Sequence, residues 1–142
     1  MKAKCALVLV TFVVICIASV IFSAFAQEQG QPQAAPGFSI STIVIAKDVR
    51  DREPVGVEET FPASTERVYC FIEATNISAD TEATFVWHHE GQEMRTFTLP
   101  IMQGPRWRTF AYKNLYGKTG HWKVEIKDAS NNLVKSLIFK VE

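Results

Sequence analysis

Arg106, Arg108, Phe110 and Tyr112 stand at alternate positions in one short run of the chain, and His121, Lys123, Glu125 and Lys127 alternate in the next. A guanidinium group offers a planar fork of donors suited to carboxylate or phosphate, and aromatic faces stack on sugars, peptides or guanidinium groups. Both kinds of residue are enriched where proteins meet partners. Suppose residues 106–113 form a strand, hairpinned through a turn around 115–119 to a second strand over 121–127. A side-chain period of two then sends Trp107, Thr109 and Ala111 to the core with Trp122, Val124 and Ile126. The outward face collects the eight residues named first, four basic groups against one acid. Arg106, Arg108, Phe110, Tyr112 and Lys123 are therefore the candidate partner-binding residues. Phe110 would be an apolar anchor, and the others would act by stacking and charge-assisted hydrogen bonds. The plainer alternative is a solvated strand face whose arginines lie over Phe110 and Tyr112 and shield them.

Other chemistries find less support. The three histidines are His88, His89 and His121. Adjacent strand residues point to opposite faces, so His88 and His89 cannot both ligate one ion from a regular strand. One of them with His121 and Glu90 makes a three-ligand site only if their strands are neighbours. Solvated or hydrogen-bonded histidines are the plainer reading, and no metal site is assigned. There is no Gly-x-Ser-x-Gly elbow, no glycine-rich phosphate loop and no Cys–His pair at a recognisable spacing. Glu58 and Glu59 point apart in extended chain, so they are not an acid–base pair by themselves. Cys70 lies in the apolar run 68–74, where a thiol behaves as a small hydrophobe rather than an activated nucleophile. The expectation is a non-catalytic protein without a cofactor.

Asp51-Arg52-Glu53-Pro54 sets three charges and a proline between two apolar runs, which reads as an exposed loop or strand end. Its functional reading requires Arg52 and Glu53 to dock against the Arg106–Arg108 block. Asn76-Ile77-Ser78 matches a glycosylation sequon and reads as a turn.

Seven short runs with period-two character must position these groups: 39–47, 67–75, 82–89, 93–99, 107–113, 121–127 and 133–141. Turn residues separate them at 76–80, Glu90-Gly91-Gln92, Gly104-Pro105, Tyr116-Gly117-Lys118 and 128–132. Such a series predicts an all-β, immunoglobulin-like antiparallel sandwich of about seven to eight strands. No stretch of it sustains a helical period. The runs 40–46 and 68–72 are apolar on both faces, which predicts central or covered strands.

Ahead of the strands, Met1-Lys2-Ala3-Lys4 is a basic start, 5–22 is apolar, and Ser23-Ala24-Phe25-Ala26 supplies an Ala-x-Ala site. That is the layout of a secretory signal peptide cleaved after Ala26. An uncleaved anchor is the alternative, because the apolar run approaches the length that spans a bilayer. The expected organisation is a signal peptide or membrane anchor over 1–26, a flexible Gln-, Ala- and Pro-rich linker over 27–37, and a sandwich domain over 38–142. The domain is then periplasmic or secreted, or held on the membrane outside the cytoplasm.

The 142-residue chain carries 15 Lys and Arg against 15 Asp and Glu, with 47% hydrophobic residues. Loss of 1–26 removes Lys2 and Lys4 and no acid, leaving 13 basic against 15 acidic groups, a net −2. This balance argues against general nucleic-acid binding, which needs a cationic excess. The apolar content argues against disorder. Against a slightly acidic domain, the basic hairpin face is a local reversal of sign. Cys5 and Cys16 leave with the signal, so Cys70 stands alone and the core, not a disulfide, must hold the domain.

Four stretches carry a family likeness: Asp51-Arg52-Glu53-Pro54-Val55; Val68-Tyr69-Cys70-Phe71; Gly104-Pro105-Arg106-Trp107-Arg108-Thr109 with Lys113 after it; and Gly120-x-Trp122-x-Val124 with Asp128 after it. In these the chain resembles the bacterial domain-of-unknown-function family 2914, over about residues 40–140. The Gly-Pro-Arg-Trp-Arg block is the most specific of them. The chain departs from the pattern at Ala111 and Tyr112, where the family commonly shows small hydroxyl residues, and at Asn131-Asn132, which replaces a glycine turn. The resemblance implies the domain boundaries and an exported or membrane-anchored setting, and brings no activity with it. These readings together predict an exported, non-catalytic module that binds a cell-envelope protein or polymer of acidic or polar character. A glycan-binding module, with Tyr112 and an exposed Trp as sugar platform, is the alternative, and a metal-dependent hydrolase is a third reading.

Overall fold

The computed structural model describes residues 35–142. The expected signal or anchor segment and residues 27–34 of the linker lie outside the described residues. The strands are β1 (Ser39–Arg50), β2 (Glu53–Val57), β3 (Thr60–Phe61), β4 (Arg67–Ile77), β5 (Thr81–His89), β6 (Gln92–Ile101), β7 (Gly104–Asn114), β8 (Gly120–Lys127) and β9 (Leu133–Val141). They build two sheets, in the orders β2-β1-β4-β7 and β3-β9-β8-β5-β6. Every pair is antiparallel except the short β3–β9 pair. The all-β sandwich is therefore the fold, with β2 and β3 added to the seven runs legible in the sequence. Neither addition announces itself: β2 has only Val55 and Val57, both exposed, among Glu53, Pro54 and Gly56, and β3 has two residues.

Alternation explains the core. Trp122, Val124 and Ile126 of β8 are buried, as are Val68, Cys70, Ile72 and Ala74 of β4. Phe139 sits among the large side chains, stacked on Trp122 at 6.1 Å and edge-on to Trp87 and Phe61. Aromatic pairs in such arrangements add about 0.5–1.5 kcal/mol each beyond area burial. The two runs apolar on both faces, β1 and β4, are the central strands of the four-stranded sheet.

Turn boundaries differ from expectation: Asn76 and Ile77 end β4, and Gln92 opens β6. Gly104-Pro105 opens β7 rather than forming the turn, which falls at Met102-Gln103, where Asp80 accepts from the Gln103 amide at 2.8 Å. Between β8 and β9, buried Asp128 accepts from the amides of Ser130 and Asn132, and Asn131 takes the left-handed φ of +65°. Asn is among the few non-glycine residues that tolerate that region, so the turn forms without a glycine. Gly120, at φ +106°, passes so close to Glu90 that any side chain there would run into its carboxylate. That carboxylate accepts from the His121 amide at 2.5 Å.

Candidate partner-binding site

The expected hairpin does not form. β7 pairs with β4 in one sheet, while β8 lies between β5 and β9 in the other. Leu115 is the reason: it is fully buried, and its amide donates to the Glu66 carbonyl at 2.8 Å, so the chain dives through the core edge. Tyr116 and Gly117, both at positive φ, then turn it into the opposite sheet. The parity reading survives nonetheless. Arg106, Arg108, Phe110 and Tyr112 share the outer face of β7, in register with Thr75, Glu73, Phe71 and Tyr69 of β4. Lys123 is separated from them, on the outer face of the other sheet, where its Nζ lies 2.5 Å from Glu125. His121 and Lys127 go with β8 as well. Trp122 enters the core as expected, but Trp107 is only half-buried at its edge.

The two halves of β7 differ in charge pairing. In the first half, Arg108 donates through Nε to Glu73 at 2.8 Å and through Nη1 to Glu53, and Arg106 lies 3.8 Å from Glu73. The Arg108 hydrogen bond, with a further one from Ser41, holds the Glu73 carboxyl below its usual range. Glu53 comes from β2, two strands removed from β7's neighbour. Glu53 pairs with Arg50, eight residues past Thr42, the β1 residue opposite Glu73. In a straight strand that is about 26 Å away. The β1–β2 arm must therefore fold back over the outer face of its own sheet. Gly56, opposite Lys47 at φ +69°, permits the bend, since a Cβ there would sit 3.2 Å from that of Lys47. Glu53 thus docks on the arginine block, and the arm's tip, Asp51-Arg52, shares a recess with Arg106, Trp107 and Arg108.

In the second half, cations meet aromatics instead of acids. The Arg67 guanidinium lies 4.3 Å over the Tyr112 ring, and that of Arg95 lies 4.5 Å over Phe97. Lys113 faces inward and is 7% exposed; its Nζ donates to the Asn114 carbonyl at 2.9 Å and lies over the rings of Tyr116 and Trp122. Burial lowers its pKa, and the charges of Arg95 and Lys118 add to the effect. Arg95, Lys113 and Lys118 have no carboxylate partner among the described residues. Met94, Arg95 and Phe97 of β6, with Tyr112 and Lys113 of β7 and nearby Tyr116, enclose a recess of about 330 Å³. A larger recess of about 900 Å³ adjoins it past Asn114 and Tyr116. There Lys47 pairs with Glu58 and Arg50 with Asp48, while Arg67 bonds the Asn114 side chain and lies over Tyr112.

Sequence reasoning found Tyr112 but missed Arg95 and Phe97, which line the recess with it from the other sheet, and Lys118, whose charge acts at Lys113. Lys113 had a signal: it continues the inward series Trp107, Thr109, Ala111, and an inward lysine on a strand is unusual.

The other candidates are engaged elsewhere. His88 lies 3.2 Å from Glu125, and His89 bonds the Thr119 carbonyl at 2.7 Å. His121 is 3.8 Å from Glu90. Among the described residues no three His, Cys, Asp or Glu side chains are grouped to hold a metal ion. The Cys70 thiol is fully buried, and burial pushes its pKa up, away from nucleophile chemistry. Trp87 and Trp122 are buried and Trp107 half-buried, so an exposed Trp platform for a sugar is not present.

No curated protein matches the chain. Among solved structures it is similar to part of the Beta-glucosidase from Kluyveromyces marxianus, at 11% identity and a TM-score of 0.44 over 74% of the chain. The chain spans 14% of that enzyme's length. Of the four stretches that carried the family likeness, the Gly104–Thr109 block and the Gly120–Asp128 stretch fall within the next match, and the two earlier ones precede it. Residues 80–141, from β5 through β9, match the family described as "Protein of unknown function (DUF2914)", and over that part of the chain the resemblance read from the motifs holds.

Proposed function

We propose that the chain is an exported, non-catalytic binding module that holds a protein or polymer of the cell envelope at the β6–β7 side of its sandwich. The observation that carries this reading is that Arg95 and Lys113 line one aromatic-walled recess, with the charge of Lys118 felt at Lys113 and none of the three paired with a carboxylate among the described residues. Charge left uncompensated within a domain is available to an incoming partner and steers it. Arg106 and Arg108 are already engaged by Glu73 and Glu53, so their main work is to hold the arm. Tyr112 remains part-exposed and lines the recess, while Phe110 stands part-exposed beside Tyr69 on the same outer face of β7. Export is supported by the basic start, apolar run and Ala-x-Ala site of the first 26 residues.

The test is capture from an envelope extract on three baits: the purified protein, an Arg95→Glu/Lys118→Glu variant and an Arg106→Glu/Arg108→Glu variant. A component held by the first and third baits and lost from the second is the expected result. Loss from the third bait alone, or identical capture by all three, overturns the assignment of the surface.

A further inference from the structure

We propose that the β6–β7 recess is a carboxylate site whose ligand is an acidic side chain on an extended peptide segment of another protein, laid along the free edge of β7. This rests on the binding-module reading and names the ligand of the same surface. Lys113 is the centre of the argument. A buried ammonium is costly unless a countercharge meets it, and Lys113 is 93% buried with a single hydrogen bond, to the Asn114 carbonyl. An ammonium has three donors, so donors remain for a further acceptor. Arg95 lines the same recess and Lys118 adds its charge at Lys113, and neither is paired with a described carboxylate. An anion completes the site.

The surroundings select the kind of anion. A carboxylate's two oxygens match the donors on offer, an ammonium and a neighbouring guanidinium. Met94, Phe97 and Tyr112 supply apolar wall for the methylene stem of a glutamate. An acidic sugar would need free aromatic faces, but guanidinium groups already lie over Tyr112 and Phe97. A peptide has a further attachment. β7 is an 11-residue edge strand with one row of main-chain groups unpaired in its sheet, and β6 is the edge of the other sheet. An extended segment can add to such an edge, turning alternate side chains into the pocket beside it. Inward lysines on edge strands also guard against edge-to-edge association, and that role makes a different prediction for the same variant.

The experiment titrates the purified protein with the peptide acetyl-Val-Glu-Val-Glu-Val-amide and with its Gln counterpart, followed by amide NMR shifts. The Glu peptide should bind at least about tenfold more tightly than the Gln peptide. Lys113→Met should erase that preference without lowering the melting temperature, and Arg95→Gln, at an exposed position, should weaken it with the fold intact. Equal binding of the two peptides, binding of neither, or preference for an oligogalacturonate over the Glu peptide overturns the proposal. So does a Lys113→Met protein that dimerises while keeping the preference. If neither peptide binds but envelope capture still depends on Arg95, the ligand assignment fails and the binding-module reading stands.

Discussion

Arg108 and Lys113 lie five residues apart on one strand and meet opposite conditions. Arg108 bridges Glu73 of the neighbouring strand and Glu53 of the folded-back arm. Lys113 points into the sandwich beside two further cations and meets only rings and a main-chain carbonyl. Both contribute to the same formal basicity, and only their partners distinguish them. A cation whose charge is answered inside the domain serves the fold. One left unanswered while buried costs stability, and its presence calls for a use outside the fold.

Substitutions at the two ends should separate these roles. The largest effect is expected for Arg108→Glu, which sets a third carboxylate against Glu53 and Glu73. Amide exchange over Glu53–Val57 should accelerate by about tenfold or more, with partner capture unchanged. Unchanged exchange would mean that the arm is held by something other than this bridge. Next, Lys113→Met should raise unfolding stability by roughly 1–2 kcal/mol, because it exchanges an unpaired buried charge for an apolar side chain of similar reach. Its pH dependence has a definite sign. Burial lowers the Lys113 pKa, so above that lowered value and up to the ordinary lysine range the unfolded chain binds more protons. Wild-type stability should climb with pH through that window, and the Met variant should lose this component of the climb. In acid the paired end shows the opposite dependence. Glu73 contributes stability above the ordinary glutamate range, and the contribution is lost as pH falls through its depressed value. Denaturation midpoints of Glu73→Gln should therefore be flatter with acid pH than those of wild type. The smallest effect belongs to the arm's tip, where Asp51 and Arg52 hold φ of +51° and +61° between paired strands. Glycine suits the second of these positions, so Arg52→Gly should steady the arm by a few tenths to about 1 kcal/mol, read from exchange at Arg50 and Glu53.

What the sequence disclosed follows from which forces are local. The alternation of Trp122, Val124 and Ile126, and of Arg106, Arg108, Phe110 and Tyr112, fixes faces, because side-chain direction depends on the strand alone. Strand partners do not follow from it. The linkage 115–119 suits a hairpin by its length, and only the burial of Leu115 turns it into a corner between sheets. For that reason Lys123 lies on the other sheet and not beside Arg106 and Arg108. Glu53 could be suspected as a partner of the arginine block but not shown to be one, since the fold-back depends on one left-handed glycine opposite Lys47. Arg95 and Lys118 were out of reach altogether, brought to Lys113 by two separate crossings of the sandwich.

Cys70 has a use that its chemistry does not suggest. It is fully buried on a central strand, between Ile45 and Ala111, and is the free thiol of the described residues. A thiol reagent can reach it only after β4 has parted from its neighbours. At high reagent concentration the labelling rate stops depending on the reagent and equals the rate at which the sheet opens. The sulfur is thus a built-in clock for the opening of the strand that carries Glu73.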